Sequence, residues 1–214
     1  RAMTTATATQ LGCTSQEVLV ASTGVIGVQL NTEKLRAGIN VAAGQLSKEG
    51  HRSAAEAIMT TDLEPKEFGI EVTTAQGNFR VGGMAKGAGM IEPNMATMLA
   101  FLTTDARIES AQLNQALRES AADTFNAITV DGECSTNDSV FALASGRSTV
   151  VIDDDLYPIF VEAFRTVSRQ LALDIVRGGE GATKIVSITA AGARTEDDAR
   201  RVARVLANSL LVKT

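Results

Sequence analysis

The sequence predicts a mixed α+β fold, in which strands and helices alternate irregularly rather than in regular strand–helix units. Two patterns support this prediction. Residues 68–74 and 78–81 have the alternation of a β-hairpin around Ala75-Gln76-Gly77, and residues 156–176 have the apolar stripe of a long helix. At 214 residues the chain can form one substantial core, or one core and a small second unit. We expect a domain over 1–150 and a helix–strand–helix segment over 151–214 that leads into a truncated further domain.

The other elements are predicted from hydrophobic periodicity and from capping residues. Helices are expected over residues 4–11, 32–44, 53–59, 110–125 and 196–206. Strands are expected over residues 17–22, 98–102, 128–130, 140–144 and 184–189. Residues 82–96 are expected to form a loop rich in glycine and methionine, and residues 210–214 have a β-like pattern without a cap. Both ends of the chain therefore look cut, as in a fragment of a longer protein.

Composition excludes several functional classes. Hydrophobic residues make up 44% and charged residues 21%, as in an ordinary globular protein. A net charge of −5, no Trp and one Tyr give no reason to expect binding to nucleic acid or acidic membranes. No apolar run of about eighteen residues is present, so no membrane span is expected. Cys13 and Cys134 are interpreted as reduced thiols of a cytoplasmic protein.

The most informative segment runs from Lys86 to Leu99. Glycines and a proline precede Ala96 and Thr97, and the apolar strand pattern of residues 98–102 follows at once. A threonine hydroxyl is a poor nucleophile unless a base is close, and an α-amino group with a pKa of about 8 is such a base. The segment therefore predicts self-cleavage between Ala96 and Thr97, with Thr97 as an N-terminal nucleophile.

Other catalytic arrangements fit the sequence less well. Residues 82–89 place Lys86 among glycines but lack the residue order of a P-loop, so a loop with unusual backbone angles is the alternative. His51 is the only histidine and lies in what looks like an exposed turn, which argues against a Ser-His-Asp triad. Asp131, Glu133 and Asp138 lack histidine or cysteine partners; a calcium-binding loop remains open there, without EF-hand spacing.

Several polar residues have both a structural and a catalytic interpretation. Thr23 and Gly24 follow a predicted strand, where backbone N–H groups can form either an ordinary turn or an oxyanion hole. Thr60 begins a Thr-Thr-Asp sequence that can cap a helix. Glu180 lies among glycines, as a cap or as a ligand for a substrate amine. Each is explained by local structure when taken alone; together with Thr97 they favour a catalytic site.

Five segments in this order resemble signatures of the ornithine acetyltransferase family, the bifunctional glutamate N-acetyltransferases of arginine biosynthesis. They are residues 21–27, 58–62, 86–99, 131–138 and 179–183. The resemblance implies an autoprocessed enzyme whose α and β chains stay together as a heterotetramer in the cytoplasm. It also implies ping-pong transfer of an acetyl group from N-acetylornithine to glutamate through an acetyl-threonine intermediate.

The resemblance further implies roles for single residues. Thr97 is the nucleophile, Thr23 and Gly24 form the oxyanion hole, and substrate is bound by Thr60, Lys86, Thr97 and Glu180. Lys86 suits a substrate carboxylate and Glu180 suits an amine. The implied fold is a layered α/β sandwich similar to that of the N-terminal nucleophile hydrolases, followed by a smaller domain. No cofactor is implied, and whether acetyl-CoA also serves as a donor is left open.

One departure from the family is relevant. Family chains are about twice as long, and an Asn and a Thr near their C-terminus have no counterpart here. Two alternatives therefore stay open beside the acetyltransferase: a related amidase or aminopeptidase that transfers the acyl group to water, and an inactive truncated relative.

Overall fold

The computed structural model describes residues 1–92 and 98–213 of the chain. The predicted cleavage site, Ala96 and Thr97, lies outside these residues. No helix in the described part of the chain is both long and apolar enough to cross a membrane.

A four-stranded sheet forms the centre of the fold. Its strands are β1 (Lys66–Thr74), β2 (Gly77–Lys86), β3 (Leu99–Thr104) and β4 (Ser139–Ala144), in the spatial order β1-β2-β3-β4. The pairs β1–β2 and β2–β3 are antiparallel, whereas β3 and β4 are parallel. A parallel pair needs a crossover connection, and here it contains the helix α4 (Ser110–Ala122).

The described residues contain seven helices. Two of them pack against the sheet, and the other five precede or follow the sheet along the chain. The seven helices are α1 (Ala2–Leu11), α2 (Thr32–Gly44), α3 (His51–Ala57), α4 (Ser110–Ala122), α5 (Tyr157–Arg177), α6 (Glu196–Ala207) and α7 (Leu210–Lys213). Short 3-10 turns cover Ser15–Glu17 and Phe125–Ala127.

The core lies between one face of the sheet and α5. Phe79 of β2 points to this face, and its ring centroid is 5.9 Å from that of Phe160 in α5. Phe164 follows one helical turn later, and its ring centroid is 4.7 Å from that of Phe160, with the two ring planes tilted. Helix α4 packs beside α5, so the sheet and these two helices form two layers. The mixed α+β class predicted from the sequence is therefore confirmed.

Most predicted elements are confirmed. The hairpin is present as β1 and β2, and the predicted helix over residues 32–44 is α2. The long helix is α5, and the Leu156 N–H directly before it donates to Asp153 at 3.0 Å, although no side chain caps the helix itself. The last long helix is α6, capped by Thr195.

Three predicted strands are wrong, because a β pattern gives a strand only where a partner supplies the ladder. Glu17 instead ends the 3-10 turn Ser15–Glu17 and accepts the Thr14 N–H at 2.7 Å, and residues 18–22 have no assigned strand structure. Residues 184–189 have no assigned strand structure, and Val186 is exposed. In residues 128–130, the Val130 N–H bonds to the Ile91 carbonyl at 2.7 Å without forming a strand.

Two further corrections concern loops and ends. Residues 82–86, predicted as part of a loop, belong to β2 because they pair with both β1 and β3. Residues 210–213, predicted as β-like, form the short helix α7. The helix–strand–helix prediction for 151–214 therefore keeps its helices and loses its strand, and the division at residue 150 stays a prediction.

Close packing of α5 on the sheet depends on Gly83. A Cβ at this position would lie 2.8 Å from Leu102 Cδ2 and 3.0 Å from Leu171 Cδ1. We expect Gly83→Ala to lower the free energy of unfolding by about 1–3 kcal/mol, the usual cost of overpacking. Urea denaturation measures this change.

The neighbouring Gly82 provides a matched control, since a Cβ there would meet no atom closer than 3.8 Å. Gly82→Ala should stay within about 0.5 kcal/mol of the wild type. Equal effects of the two substitutions would contradict the packing explanation.

Candidate active site

A buried carboxylate joins the elements of the candidate site. Asp62 lies in the connection between α3 and β1, and its side chain is fully buried. Lys66 begins β1 and Lys86 ends β2, and both side chains are only 2% exposed. Because buried charges need partners, their proximity to one another decides whether this arrangement is stable.

The two oxygens of Asp62 have different partners. Oδ1 accepts hydrogen bonds from Lys66 Nζ at 2.6 Å and from the Gly87 N–H at 2.7 Å. Oδ2 accepts one from the Thr60 N–H at 3.2 Å and lies 3.9 Å from Lys86 Nζ. One carboxylate therefore contacts the loop at Thr60, the start of β1 and the end of β2.

Burial and these contacts shift the pKa values of Asp62 and Lys86. Burial acts to raise the pKa of Asp62, but hydrogen bonds from Gly87, Lys66 and Thr60 outweigh it and hold this pKa below its usual value. Burial lowers the pKa of Lys86, and the charge of Lys66 lowers it further. The nearby charges of Asp62, Asp138 and Glu180 act in the opposite direction without cancelling the effect of burial.

The end of α5 brings Glu180 to the same place. Its N–H donates to the Ala88 carbonyl at 2.7 Å, two residues beyond the end of β2. Its carboxylate lies against Gly89, where a Cβ would come within 3.0 Å of the Glu180 Cδ. Glu180 is exposed, so its carboxylate is available to a ligand.

A segment over residues 131–138 binds the chain on both sides of the predicted cleavage site. Upstream, Asp131 accepts hydrogen bonds from the Met90 N–H at 2.5 Å and the Ile91 N–H at 2.9 Å. Downstream, Asp138 accepts from the Met98 N–H at 2.8 Å. Burial raises the pKa of Asp138, despite hydrogen bonds from Met98 and Ser135 and the charge of Lys86.

Met90 also has an unusual backbone conformation. Its φ of +52° is in the left-handed region, which costs a residue other than glycine about 1–2 kcal/mol. The paired bonds to Asp131 hold this turn in place. Asp131 therefore anchors the described chain at Met90 and Ile91, before the predicted cleavage site.

The structure brings three of the predicted site residues together, whereas Thr97 lies outside the described residues. Thr60, Lys86 and Glu180 meet around Asp62 and residues 87–89. Thr23 is half-buried and Gly24 exposed, and within residues 1–92 and 98–213 no hydrogen bond or ion pair connects either of them to this cluster. Their role as an oxyanion hole, like that of Thr97 as nucleophile, stays a prediction.

Sequence reasoning missed the central group of the site. Asp62 was interpreted as part of a helix cap, and Lys66 was not singled out. Asp138 was considered only as a metal ligand or part of a calcium loop; in the described part of the chain no group of three His, Cys, Asp or Glu residues could hold a metal ion. A useful signal was available in the sequence. Asp62 and Lys66 are charged residues four apart, one before β1 and one at its first residue.

Comparison with known proteins identifies the family. A family profile described as "ArgJ family" matches residues 1–214. The chain belongs to the ArgJ family. This confirms the resemblance inferred from the five sequence segments.

Three relatives show how similar the chain is to named proteins. "Arginine biosynthesis bifunctional protein ArgJ" of Symbiobacterium thermophilum is 48% identical, over 95% of this chain and 51% of the relative. The protein of the same name from Chlorobaculum tepidum is 49% identical, over 100% of this chain and 53% of the relative. "Glutamate N-acetyltransferase" of Methanocaldococcus jannaschii is 50% identical, over 92% of this chain and 50% of the relative. The chain thus spans about half the length of these relatives.

A solved structure agrees with this assignment. The crystal structure of "Arginine biosynthesis bifunctional protein argJ" from Bacillus halodurans matches with a TM-score of 0.51 and 40% sequence identity. The match covers 53% of this chain and 55% of that chain. The fold of about half of this chain is therefore similar to part of a solved ArgJ structure.

The buried Asp62–Lys66 pair should show strong energetic coupling. We expect Asp62→Asn and Lys66→Met each to lower the free energy of unfolding by about 3–5 kcal/mol, because each leaves a buried charge without its closest partner. The double variant should cost clearly less than the sum of the two, because both charges are then removed. A double-mutant cycle from urea denaturation measures the coupling, and additive costs would contradict the pairing.

Proposed function

We propose that the full-length protein carrying this sequence is an acyltransferase that moves an acetyl group from N-acetylornithine to glutamate. The observation that supports this most is the convergence of Lys86 and Glu180 beside the buried Asp62. A cation and an exposed carboxylate then lie next to the segment that leads to Thr97. Opposite charges at one site suit the carboxylate and the amine of an amino-acid substrate. Membership of the ArgJ family and the names of the relatives support the reaction class.

The proposed reaction begins with cleavage of the Ala96–Thr97 bond, which frees the α-amine of Thr97. This amine takes the hydroxyl proton as Thr97 Oγ attacks the acetyl carbonyl of N-acetylornithine. The tetrahedral intermediate collapses as the C–N bond breaks, the leaving amine takes up the proton, and ornithine departs. The acetyl group remains on Thr97 as an ester.

The second half-reaction regenerates the enzyme. The neutral amine of glutamate attacks the acetyl ester and gives a proton to the α-amine of Thr97, which passes it to Thr97 Oγ as the ester C–O bond breaks and N-acetylglutamate is released. The order of release is therefore ping-pong. Both tetrahedral intermediates carry an oxyanion, for which we propose the backbone at Thr23 and Gly24 as donors; losing one such donor typically costs about 3 kcal/mol of barrier.

The wider setting is part of the same proposal. We propose that the protein acts in arginine biosynthesis in the cytoplasm, that its α and β chains assemble as a heterotetramer, and that no cofactor takes part. The relative at 48% identity is named "bifunctional", whereas the relative at 50% identity is named "Glutamate N-acetyltransferase" without that word. A glutamate acetylation assay with acetyl-CoA in place of N-acetylornithine decides whether acetyl-CoA is a second donor.

Cleavage and transfer should both depend on Thr97. In the full-length protein we expect mass spectrometry to find two pieces that meet at Ala96/Thr97. Thr97→Ala should leave one uncut chain and reduce transfer from isotopically labelled N-acetylornithine to glutamate by at least about 1,000-fold, since covalent catalysis is lost.

Thr103→Ala is the matched control, because Thr103 is an exposed threonine of β3. It should be cut and remain active. An uncut wild type with full activity would contradict the mechanism. Release of acetate without dependence on glutamate would favour the amidase alternative, and a folded full-length protein without either activity would favour an inactive relative.

Gly89 should matter for activity more than for stability. The new Cβ of Gly89→Ala would displace the Glu180 carboxylate, which is the end of a flexible side chain and can move away at little cost. We expect kcat/KM to fall by about 10–100-fold, as is common for small misplacements at a site, and the free energy of unfolding to change by less than about 0.5 kcal/mol.

Gly38→Ala is the control for this substitution, since a Cβ at Gly38 meets no atom within 4 Å. Its acetyl transfer should equal that of the wild type. If Gly89→Ala were fully active, Glu180 would not be a substrate ligand in the position described.

A further inference from the structure

We propose, on the basis of the proposed acetyl transfer, that Asp62 is a positioning residue that neutralises Lys66 by direct contact and thereby leaves Lys86 as the cation that receives the substrate carboxylate. Asp62 itself makes no contact with substrate in this proposal, because its two oxygens already accept hydrogen bonds from Lys66, Gly87 and Thr60. Its action is on the charge and the position of Lys86.

The distances support an unequal division of charge. Lys66 Nζ is 2.6 Å from Asp62 Oδ1, whereas Lys86 Nζ is 3.9 Å from Oδ2. Asp62 is thus in direct contact with Lys66 but not with Lys86, whose ammonium form is also favoured by the charges of Asp138 and Glu180. Charge that is left unbalanced at a buried cation favours binding of an anion there.

Asp62 also fixes the backbone around Lys86. The same Oδ1 that binds Lys66 accepts the N–H of Gly87, the residue directly after Lys86, at 2.7 Å. Oδ2 accepts the N–H of Thr60 at 3.2 Å. The lysine side chain is long and flexible, so anchoring its backbone and attracting its ammonium to one carboxylate limits where the charge can lie.

The ion pair further connects the two ends of the proposed substrate site. Lys66 lies against Gly178 at the end of α5, where a Cβ would be 3.3 Å from Nζ. Glu180 follows two residues later and lies against Gly89. The Asp62–Lys66 pair therefore lies close to Lys86 and to Gly178, two residues before Glu180.

A purely structural ion pair is the alternative, and pH dependence separates the two. The charged groups that act on Lys86 are Asp62 before β1, Lys66 of β1, Asp138 before β4 and Glu180 after α5. Asp62 favours the ammonium form and Lys66 disfavours it. Removing Asp62 must therefore lower the pKa of Lys86, and removing Lys66 must raise it. A structural role predicts the same loss at every pH.

The experiment uses the full-length protein with Asp62→Asn, Lys66→Met and the double variant. The alkaline limb of kcat/KM against pH reports the free enzyme, and the titration of the substrate is common to all variants. We expect this limb to move down by about one pH unit in Asp62→Asn, up in Lys66→Met, and to lie between them in the double variant. At a pH well onto this limb, the ratio of activity to plateau should then be about tenfold lower for Asp62→Asn than for the wild type.

Two additions keep the test decisive. If Asp62→Asn fails to fold, the upward shift in Lys66→Met tests the same charge arrangement. Titration of the Lys86 Cε by ¹³C NMR, assigned with Lys86→Met, measures the pKa order without any activity. A wild type that transfers no acetyl group, with the pKa order still as expected, would reject the proposed function and keep the charge arrangement.

Asp105→Asn is the matched control, because Asp105 also accepts a backbone N–H, from Arg80 at 2.7 Å, away from the site. Its pH profile should be that of the wild type. The proposal would be overturned by an active wild type whose alkaline limb and Lys86 titration stay in place in both Asp62→Asn and Lys66→Met.

Discussion

The arrangement of the candidate site depends on the buried contact between Asp62 and Lys66. Taking either charge out of water alone would cost several kcal/mol, so the two must be brought together as the chain folds. Their contact holds the loop after α3 against the first residue of β1. The remaining hydrogen bonds of Asp62 then tie the end of β2 to the same point. The site is thus organised by a group that is proposed neither to react nor to touch substrate.

The core gives this contact a rigid support. Helix α5 is 21 residues long and packs along β1 and β2, with Phe160 and Phe164 at one end of the interface and Leu171 further along. Leu171 comes close to the sheet because Gly83 has no side chain. The helix ends at Gly178, beside Lys66, so the same packing that forms the core determines where Glu180 lies.

Local signals predicted the elements that depend on local physics. Helix α2 begins directly after Asn31, whose side chain accepts the Lys34 N–H, and α5 has an apolar stripe; both were predicted nearly to the residue. The strands predicted over 17–22 and 184–189 failed because a strand depends on a distant partner that its own pattern cannot specify. For the site, the sequence indicated Lys86 and Glu180. The contacts of Asp62 could not be predicted, because they join residues up to 25 positions apart that only the folded sheet brings together.

The hydrogen bonds around the predicted cleavage site bear on what a cut there would do. Strand β2 lies before the Ala96–Thr97 bond and β3 after it, and six residue pairs join them, from Val81–Thr104 to Lys86–Leu99. The carboxylate of Asp131, downstream of that bond, holds the upstream N–H groups of Met90 and Ile91. Cleavage would therefore leave both pieces within one sheet and one core. Separating them would require breaking that ladder and exposing the buried face of β2, so the proposed α and β chains would stay together without any covalent link.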